Sequence, residues 1–154
     1  MNPITAAAPG TLTGVTANEQ AGGLTPMATS EQIRATIGAY MEAFSAGDRG
    51  AWIALFAEDA TLEDPVGSEV KHGHEGIGEF WDFVHTLSTS IALEPNGPAC
   101  VAGHEAAFPI RIVNDLAGTK MLIEATDVMT FTDDARIASM RAFWDMADMR
   151  TLED

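Results

Sequence analysis

The chain has 154 residues, of which 46% are hydrophobic, and it carries 23 Asp and Glu residues against eight Lys and Arg, a formal charge of −15. This length suits one globular domain, and so negative a chain is a poor partner for nucleic acid or an anionic membrane surface. The negative charge leaves small neutral ligands or cations as the expected partners. A single cysteine, no signal-peptide pattern and no apolar run of about 18 residues for membrane insertion predict a cytoplasmic protein.

The beginning of the chain differs in character from the rest. Residues 1–26 show neither helical nor strand periodicity, which predicts a flexible N-terminal extension ahead of one domain over 27–154. Because the periodic sequence begins just after Met27, a translation start at Met27 is an alternative, which the N-terminal mass would decide.

Three helices are predicted next. A capping box that begins at Thr29 starts a helix whose apolar residues recur at helical spacing as far as Gly47. Asp48 can cap a shorter helix that carries the apolar residues up to position 56. A brief strand over 60–63 then ends in a turn, and a third helix is predicted from about 75 to 87.

Beyond residue 90 the apolar spacing changes to two, which predicts strands near 91–94, 99–102, 105–114, 119–132 and 136–146. Helices followed by strands indicate an α+β fold, in which a curved, mainly antiparallel sheet packs on the helices and can leave a conical pocket. Because proline lacks an N–H group, we expect a sheet edge or a bulge at Pro109.

Between Met121 and Phe131, Asp127 is the one polar residue in its phase of the predicted strand. The phase consists of Met121, Ile123, Ala125, Asp127, Met129 and Phe131. If this phase faces the interior, burial without a cation raises the pKa of Asp127, and the protonated acid becomes a hydrogen-bond donor. The alternatives are a bulge that turns Asp127 outward or a pairing with Arg141.

Two further polar groups lie at apolar positions. Tyr40 is the only tyrosine and lies on the apolar stripe of the first helix, where its hydroxyl group needs a partner. A bond to a backbone carbonyl would make it a structural residue. Asp64 precedes Pro65 and can be a turn former, but beside an apolar cavity it could keep an ordinary pKa, stay ionised and act as a base.

The last strand has an inward phase without charge. It consists of Ala138, Met140, Ala142, Trp144 and Met146. Trp144 could contact a ligand or be a core residue. His72 and His74 lie two residues apart, but no third ligand stands at a suitable spacing, so no metal site is predicted.

A longer stretch of sequence resembles the bacterial steroid Δ5-isomerases, the ketosteroid isomerases. The similarity covers 46–69, which ends in Leu62-Glu-Asp-Pro-Val-Gly-Ser-Glu69, and continues through Glu105-Ala-Ala-Phe108 and Ser139-Met-Arg-Ala142. It implies a cone of one curved sheet on three helices, similar to nuclear transport factor 2, in a homodimer. It also places the family's proton-shuttling aspartate at Asp64, its oxyanion tyrosine at Tyr40 and its protonated aspartate at Asp127.

The resemblance implies isomerisation of a 3-oxo-Δ5-steroid by proton transfer from C4 to C6, without cofactor or metal. The side chains expected to wall this apolar substrate are Trp144, Phe80, Trp81, Phe108 and Met129. Phe56 and Trp81 stand where some relatives have tyrosines, so an extended tyrosine network is absent. The alternatives are a polyketide cyclase or epoxide hydrolase on the same fold, or a non-catalytic module for steroid binding or dimerisation. Arg141 and Asp145, which an epoxide hydrolase would need in the pocket, fall in the other strand phase.

Overall fold

The computed structural model describes residues 26–153, so the predicted extension lies outside the described residues except for its last residue. In this part of the chain three α-helices pack on one curved, mixed sheet of eight strands, which confirms the predicted fold class. None of its helices is long and apolar enough to cross a membrane. The homodimer and the cytoplasmic location stay predictions.

The three helices are α1 (Ser30–Ala46), α2 (Arg49–Ala54) and α3 (Gly73–Leu87). The capping box of α1 is confirmed, since Thr29 and Gln32 exchange hydrogen bonds, and the helix ends at Gly47, whose φ of 71° suits glycine. The N–H of Ala51 donates to the Asp48 carboxylate and caps α2. The prediction that α2 includes Phe56 is wrong, because this residue begins a strand.

The strands are β1 (Phe56–Glu63), β2 (Lys71–His72), β3 (Ser90–Pro95), β4 (Cys100–Ala102), β5 (Glu105–Leu116), β6 (Thr119–Phe131), β7 (Ile137–Phe143) and β8 (Arg150–Thr151). They pair in the order β2-β1-β7-β6-β5-β3, and β4 and β8 pair with β5 and β6. β1 and β7 are parallel, and the other pairs are antiparallel. The parallel pair brings the end of β1 beside the end of β7, although the two strands are far apart in sequence.

The last long strand is shorter than predicted. It ends at Phe143, and Asp145 then caps a short 3₁₀ helix by accepting the N–H of Ala147 at 2.8 Å. The chain therefore turns away from the sheet, and Met146 is 67% exposed instead of facing inward.

The inward phase of β7 also differs at its start. The register between β6 and β7 shifts between Thr130 and Phe131. One residue of β7 is extra at this point, so Ile137 is buried and Ala138 is only half-buried. Beyond the bulge the predicted phase holds, with Met140 and Ala142 buried.

Pro109 lies on β5, opposite the break between β4 and β3. β4 pairs with β5 as far as Ala107, and β3 pairs with β5 from Ile110 onward. The Pro109 carbonyl accepts the N–H of Asn96 at this outer edge. The N–H and C=O of one strand residue point to the same side. The N–H that proline lacks would therefore also point to this edge, where no strand residue pairs with Pro109. The expected local edge is confirmed.

Glycine at the start of α3 has a packing reason. A Cβ atom at Gly78 would lie 2.6 Å from a guanidinium nitrogen of Arg49, the residue that pairs with Asp82 at 2.9 Å. A glycine here weakens the helix by about 1 kcal/mol relative to alanine. An added Cβ atom would displace this guanidinium group, which is the mobile end of a long side chain, from its place beside α3.

Candidate active site

Asp127 is the buried carboxyl group of the sheet. Asp127 is 0% exposed, and neither of its carboxyl oxygens has a hydrogen-bond partner in the described part of the chain. The two alternatives for Asp127 are wrong: the residue does not turn outward, and Arg141 lies 3.6 Å from Glu63 and 5.2 Å from the centre of the Phe143 ring. The inward phase of β6 is therefore as predicted.

The surroundings of Asp127 favour its neutral form. Burial raises the pKa of Asp127 well above its usual range, and the negative charge of Asp64 raises it further. A carboxylic acid that keeps its proton can donate a hydrogen bond. No acceptor among residues 26–153 takes this hydrogen bond.

Asp64 lies near Asp127 because of the order of the strands. Glu63 pairs with Arg141 in the parallel β1–β7 ladder, so Asp64 follows beside Ala142, which in turn pairs with Asp127 on β6. Two strand spacings, about 10 Å, separate the backbones of the two aspartates. The methyl group of Ala142 is the small buried side chain between them.

A second side chain holds Asp64. The indole N–H of Trp144 donates to Oδ1 of Asp64 at 2.7 Å. The pKa of Asp64 is raised because burial disfavours its charge, and the indole bond opposes this increase by stabilising the carboxylate. The expectation of an ordinary pKa for Asp64 was therefore too low.

Tyr40 projects from α1 into an aromatic environment and is 3% exposed. Its ring centre lies 5.8 Å from that of Trp52 and 6.3 Å from that of Phe56. Burial raises the pKa of the Tyr40 phenol well above its usual range, and the charges of Asp127 and Asp64 add to the effect. The charges of both aspartates thus act on the phenol, and the charge of Asp64 also acts on Asp127, which indicates that the three groups lie near one another.

The five side chains predicted to wall a ligand fall into two groups. Phe108 pairs with Asp127 across β5 and β6, Met129 is two residues further along β6, and Trp144 contacts Asp64. These three lie beside the carboxyl groups. Phe80 and Trp81 instead lie near Trp52 on the α2–α3 side of the core, with ring centres 6.5 and 5.1 Å from it.

Two features of this site were not predicted from the sequence. Trp144 was expected as a possible wall but not as a hydrogen-bond donor, because its bond to Asp64 joins residues 80 positions apart. Trp52 was expected only as a helix residue. Trp52 is 0% exposed, and its ring lies 4.7 Å from that of Phe56 and 5.1 Å from that of Trp81. The aromatic residues alternating along α2 and β1 were the available signal.

An apolar cleft of about 200 Å³ lies next to this site, between α1 and the loops that border β5. Ile37, Met41 and Phe108 contribute to its wall, whereas Asp64 and Asp127 do not line it. The two carboxyl groups therefore lie outside the cleft, on the inner face of the sheet. Phe108 borders both the cleft and Asp127.

The part of the chain that carries this site is similar to known proteins. Residues 37–140 match the SnoaL-like domain family. Over 120 residues the chain is 40% identical to a steroid Δ-isomerase of Nocardioides simplex, an alignment that covers 78% of this chain and 95% of that relative.

Two solved structures have the same fold. SalBIII, described as an epoxide hydrolase/cyclase-like enzyme with a role in pyran ring formation in the polyether salinomycin, is 30% identical, with a TM-score of 0.73 and coverage of 79% of this chain and 97% of its own. RV0760c of Mycobacterium tuberculosis is 19% identical, also with a TM-score of 0.73, and the alignment covers 82% and 100% of the two chains. The second similarity concerns the fold alone.

Proposed function

This chain belongs to the SnoaL-like domain family, and on that premise we propose that it isomerises 3-oxo-Δ5-steroids to 3-oxo-Δ4-steroids by intramolecular proton transfer. Its 40% identity with a steroid Δ-isomerase supports the substrate class. The observation that carries the proposal is the carboxyl group of Asp127, which is wholly buried and has no partner among residues 26–153. Such a group fits a site that waits for an acceptor on a ligand.

In the proposed reaction Asp64 is the base. Its carboxylate removes a proton from C4 of the substrate, and the electrons of the broken C–H bond form a dienolate whose negative charge gathers on O3. The same carboxylic acid then returns the proton to C6, so the double bond moves from C5–C6 to C4–C5. A positioned base of this kind contributes about 10²- to 10⁴-fold to the rate.

Tyr40 and Asp127 are proposed to hold O3. The phenol and the neutral carboxylic acid each donate one hydrogen bond, and both bonds strengthen as charge develops on the oxygen. Each donor is fixed in a buried, apolar setting, where such interactions are stronger than in water. The raised pKa values of both groups support this role, because a raised pKa favours the protonated form that can donate.

A second candidate is a cyclase or epoxide hydrolase, which the 30% identity with SalBIII favours. An Asp-Arg-Asp arrangement would need Arg141 in the site, but its guanidinium group lies over Phe143 and near Glu63. The arginine required for that chemistry is thus directed elsewhere. A non-catalytic steroid-binding module is the third possibility, and it predicts binding without turnover.

The test is conversion of 5-androstene-3,17-dione, followed by the absorbance of the conjugated enone. Asp64→Asn should lower turnover by about 10²- to 10⁴-fold. Glu63→Gln is the matched control, since this neighbouring carboxylate pairs with Arg141 and should be dispensable. Unchanged turnover in Asp64→Asn would exclude the proposed base, and binding of the steroid without turnover by the unmodified protein would favour the non-catalytic module.

A further inference from the structure

β5 contains a polar residue in an apolar row, as β6 does at Asp127. The inward phase of β5 consists of Ala106, Phe108, Ile110, Ile112, Asn114 and Leu116. Asn114 is the one polar side chain in this row. Cross-strand partners point to the same face of a sheet, and Asn114 pairs with the buried Ile91 on β3 and with Met121 on β6. Its amide is therefore on the inner face, together with the proposed reaction site.

The Asn114 amide is incompletely bonded. Its Oδ1 atom is inaccessible to solvent and has no hydrogen-bond partner in the described part of the chain. An unsatisfied buried acceptor costs about 1–3 kcal/mol, so an apolar residue would be the more stable choice at this position. The oxygen is an acceptor, and the group that would satisfy it must carry a hydrogen to donate.

The position of Asn114 indicates which part of a ligand it can reach. Phe108 pairs with Asp127, and Asn114 lies six residues further along the same strand, about 20 Å in an extended chain before the curvature of the sheet shortens it. A flat molecule whose oxygen lies between Tyr40 and Asp127 would extend along this face. Its opposite end would then approach Asn114, and ring atoms between the two would meet Ile110 and Ile112.

We propose that Asn114 forms a second polar subsite, which accepts a hydrogen bond from a hydroxyl group at the end of the steroid remote from its 3-oxo oxygen. The inference rests on the proposed function and adds a preference within its substrate class. A remote hydroxyl group donates directly to Oδ1, whereas a remote ketone has no hydrogen to donate and binds here only if the amide rotates to present its NH2 group.

The experiment measures binding, so that it does not depend on turnover. Quenching of tryptophan fluorescence gives the Kd of Δ4-3-oxo steroids that differ only at the remote end, which carries a hydroxyl group, a ketone or hydrogen. In one series of steroids the hydroxyl group is on ring D, and in another it is on a side-chain carbon attached to ring D. In at least one series, the hydroxyl steroid should bind about 3- to 10-fold more tightly than either analogue, as one neutral hydrogen bond allows.

Two variants separate a subsite from a structural role. Asn114→Leu should remove the preference for the hydroxyl steroid while retaining binding of the analogue without remote oxygen. Asn114→Ser keeps a hydroxyl acceptor and should retain part of the preference. Asp115→Asn, on the opposite face of β5, is the control and should leave all the Kd ratios unchanged. Thermal unfolding of each variant checks that the fold is intact.

The outcomes distinguish this inference from the proposed function. Equal Kd values for the three remote ends, a preference for the ketone, or a hydroxyl preference that survives in Asn114→Leu would each overturn the subsite. If turnover of 5-androstene-3,17-dione is normal in that case, the subsite fails and the isomerase proposal stands. A hydroxyl preference without any turnover would support the subsite and reject the reaction, and failure of every steroid to bind would overturn both.

Discussion

Trp144 donates the N–H of its indole to Oδ1 of Asp64 over 2.7 Å, which joins the residue after β7 to the residue after β1. The bond opposes the effect of burial on Asp64, since it stabilises the ionised carboxylate. One side chain therefore both holds the proposed base in its orientation and offsets part of the increase in pKa that burial causes.

Substitution of Trp144 should change the pH dependence of the reaction. Trp144→Phe keeps an aromatic ring but removes the donor, so the pKa of Asp64 should increase. Because the base acts as a carboxylate, activity is lost as pH falls through this pKa, and the acidic limb of the kcat/KM profile should move to higher pH. If the ring serves only as a wall, kcat/KM will fall by the same factor at every pH and the limb will stay in place.

Asp127→Leu should separate stability from activity. The substitution replaces a buried carboxyl group without a partner by an apolar side chain of similar size, which should stabilise the fold by about 1–3 kcal/mol in urea unfolding near neutral pH. Loss of one donor to the developing oxyanion should lower turnover by about 10²- to 10³-fold. A variant that is less stable and equally active would mean that Asp127 is a structural residue.

Tyr40→Phe removes the second donor and leaves the ring contacts with Trp52 and Phe56 in place. None of the hydrogen bonds among residues 26–153 joins the Tyr40 hydroxyl to a backbone carbonyl, so stability should change little. Turnover should fall by about 10²- to 10³-fold, mainly in kcat, because the donor acts on charge that develops in the transition state. A loss of stability of about 1 kcal/mol with unchanged kcat would instead indicate a structural hydroxyl.

Local sequence patterns were sufficient for much of the fold and for the position of Asp127. A polar residue in an apolar row of period two is visible without coordinates, and the capping box at Thr29 places the start of α1. The start of β1 was misjudged because Leu55 and Phe56 are apolar residues that suit either the end of a helix or the start of a strand. Only tertiary pairing decides between these two.

The hydrogen bond between Trp144 and Asp64 could not be predicted from local sequence patterns. It depends on the parallel register of β1 and β7, in which Glu63 pairs with Arg141, and the sequence predicted neither this pairing nor its direction. The bulge between Thr130 and Phe131 is similarly a property of two strands together. Asn114 differs, because the row that reveals it is local and could have been noticed from the sequence.

The dependence of stability on pH provides the last prediction, and its sign follows from Asp127. In the unfolded chain this group has a pKa near 3.8, and burial raises that pKa in the folded protein. Between the two values the unfolded state binds fewer protons than the folded state, so stability falls as pH rises from about 4 through the raised pKa. Asp64, whose pKa is also raised, acts in the same direction.

Other groups also contribute to the pH dependence of stability. Comparing the unmodified protein with Asp127→Leu removes their contributions. Asp134 has a lowered pKa because Thr132 donates to it, so its contribution has the opposite sign. The charge of −15 adds general repulsion as pH rises. Both effects are common to the unmodified protein and Asp127→Leu, and the difference between their unfolding free energies isolates Asp127. This difference should widen as pH rises from about 4 through the raised pKa, because the protein with Asp127 loses stability. A constant or narrowing difference would mean that Asp127 is ionised in the folded protein.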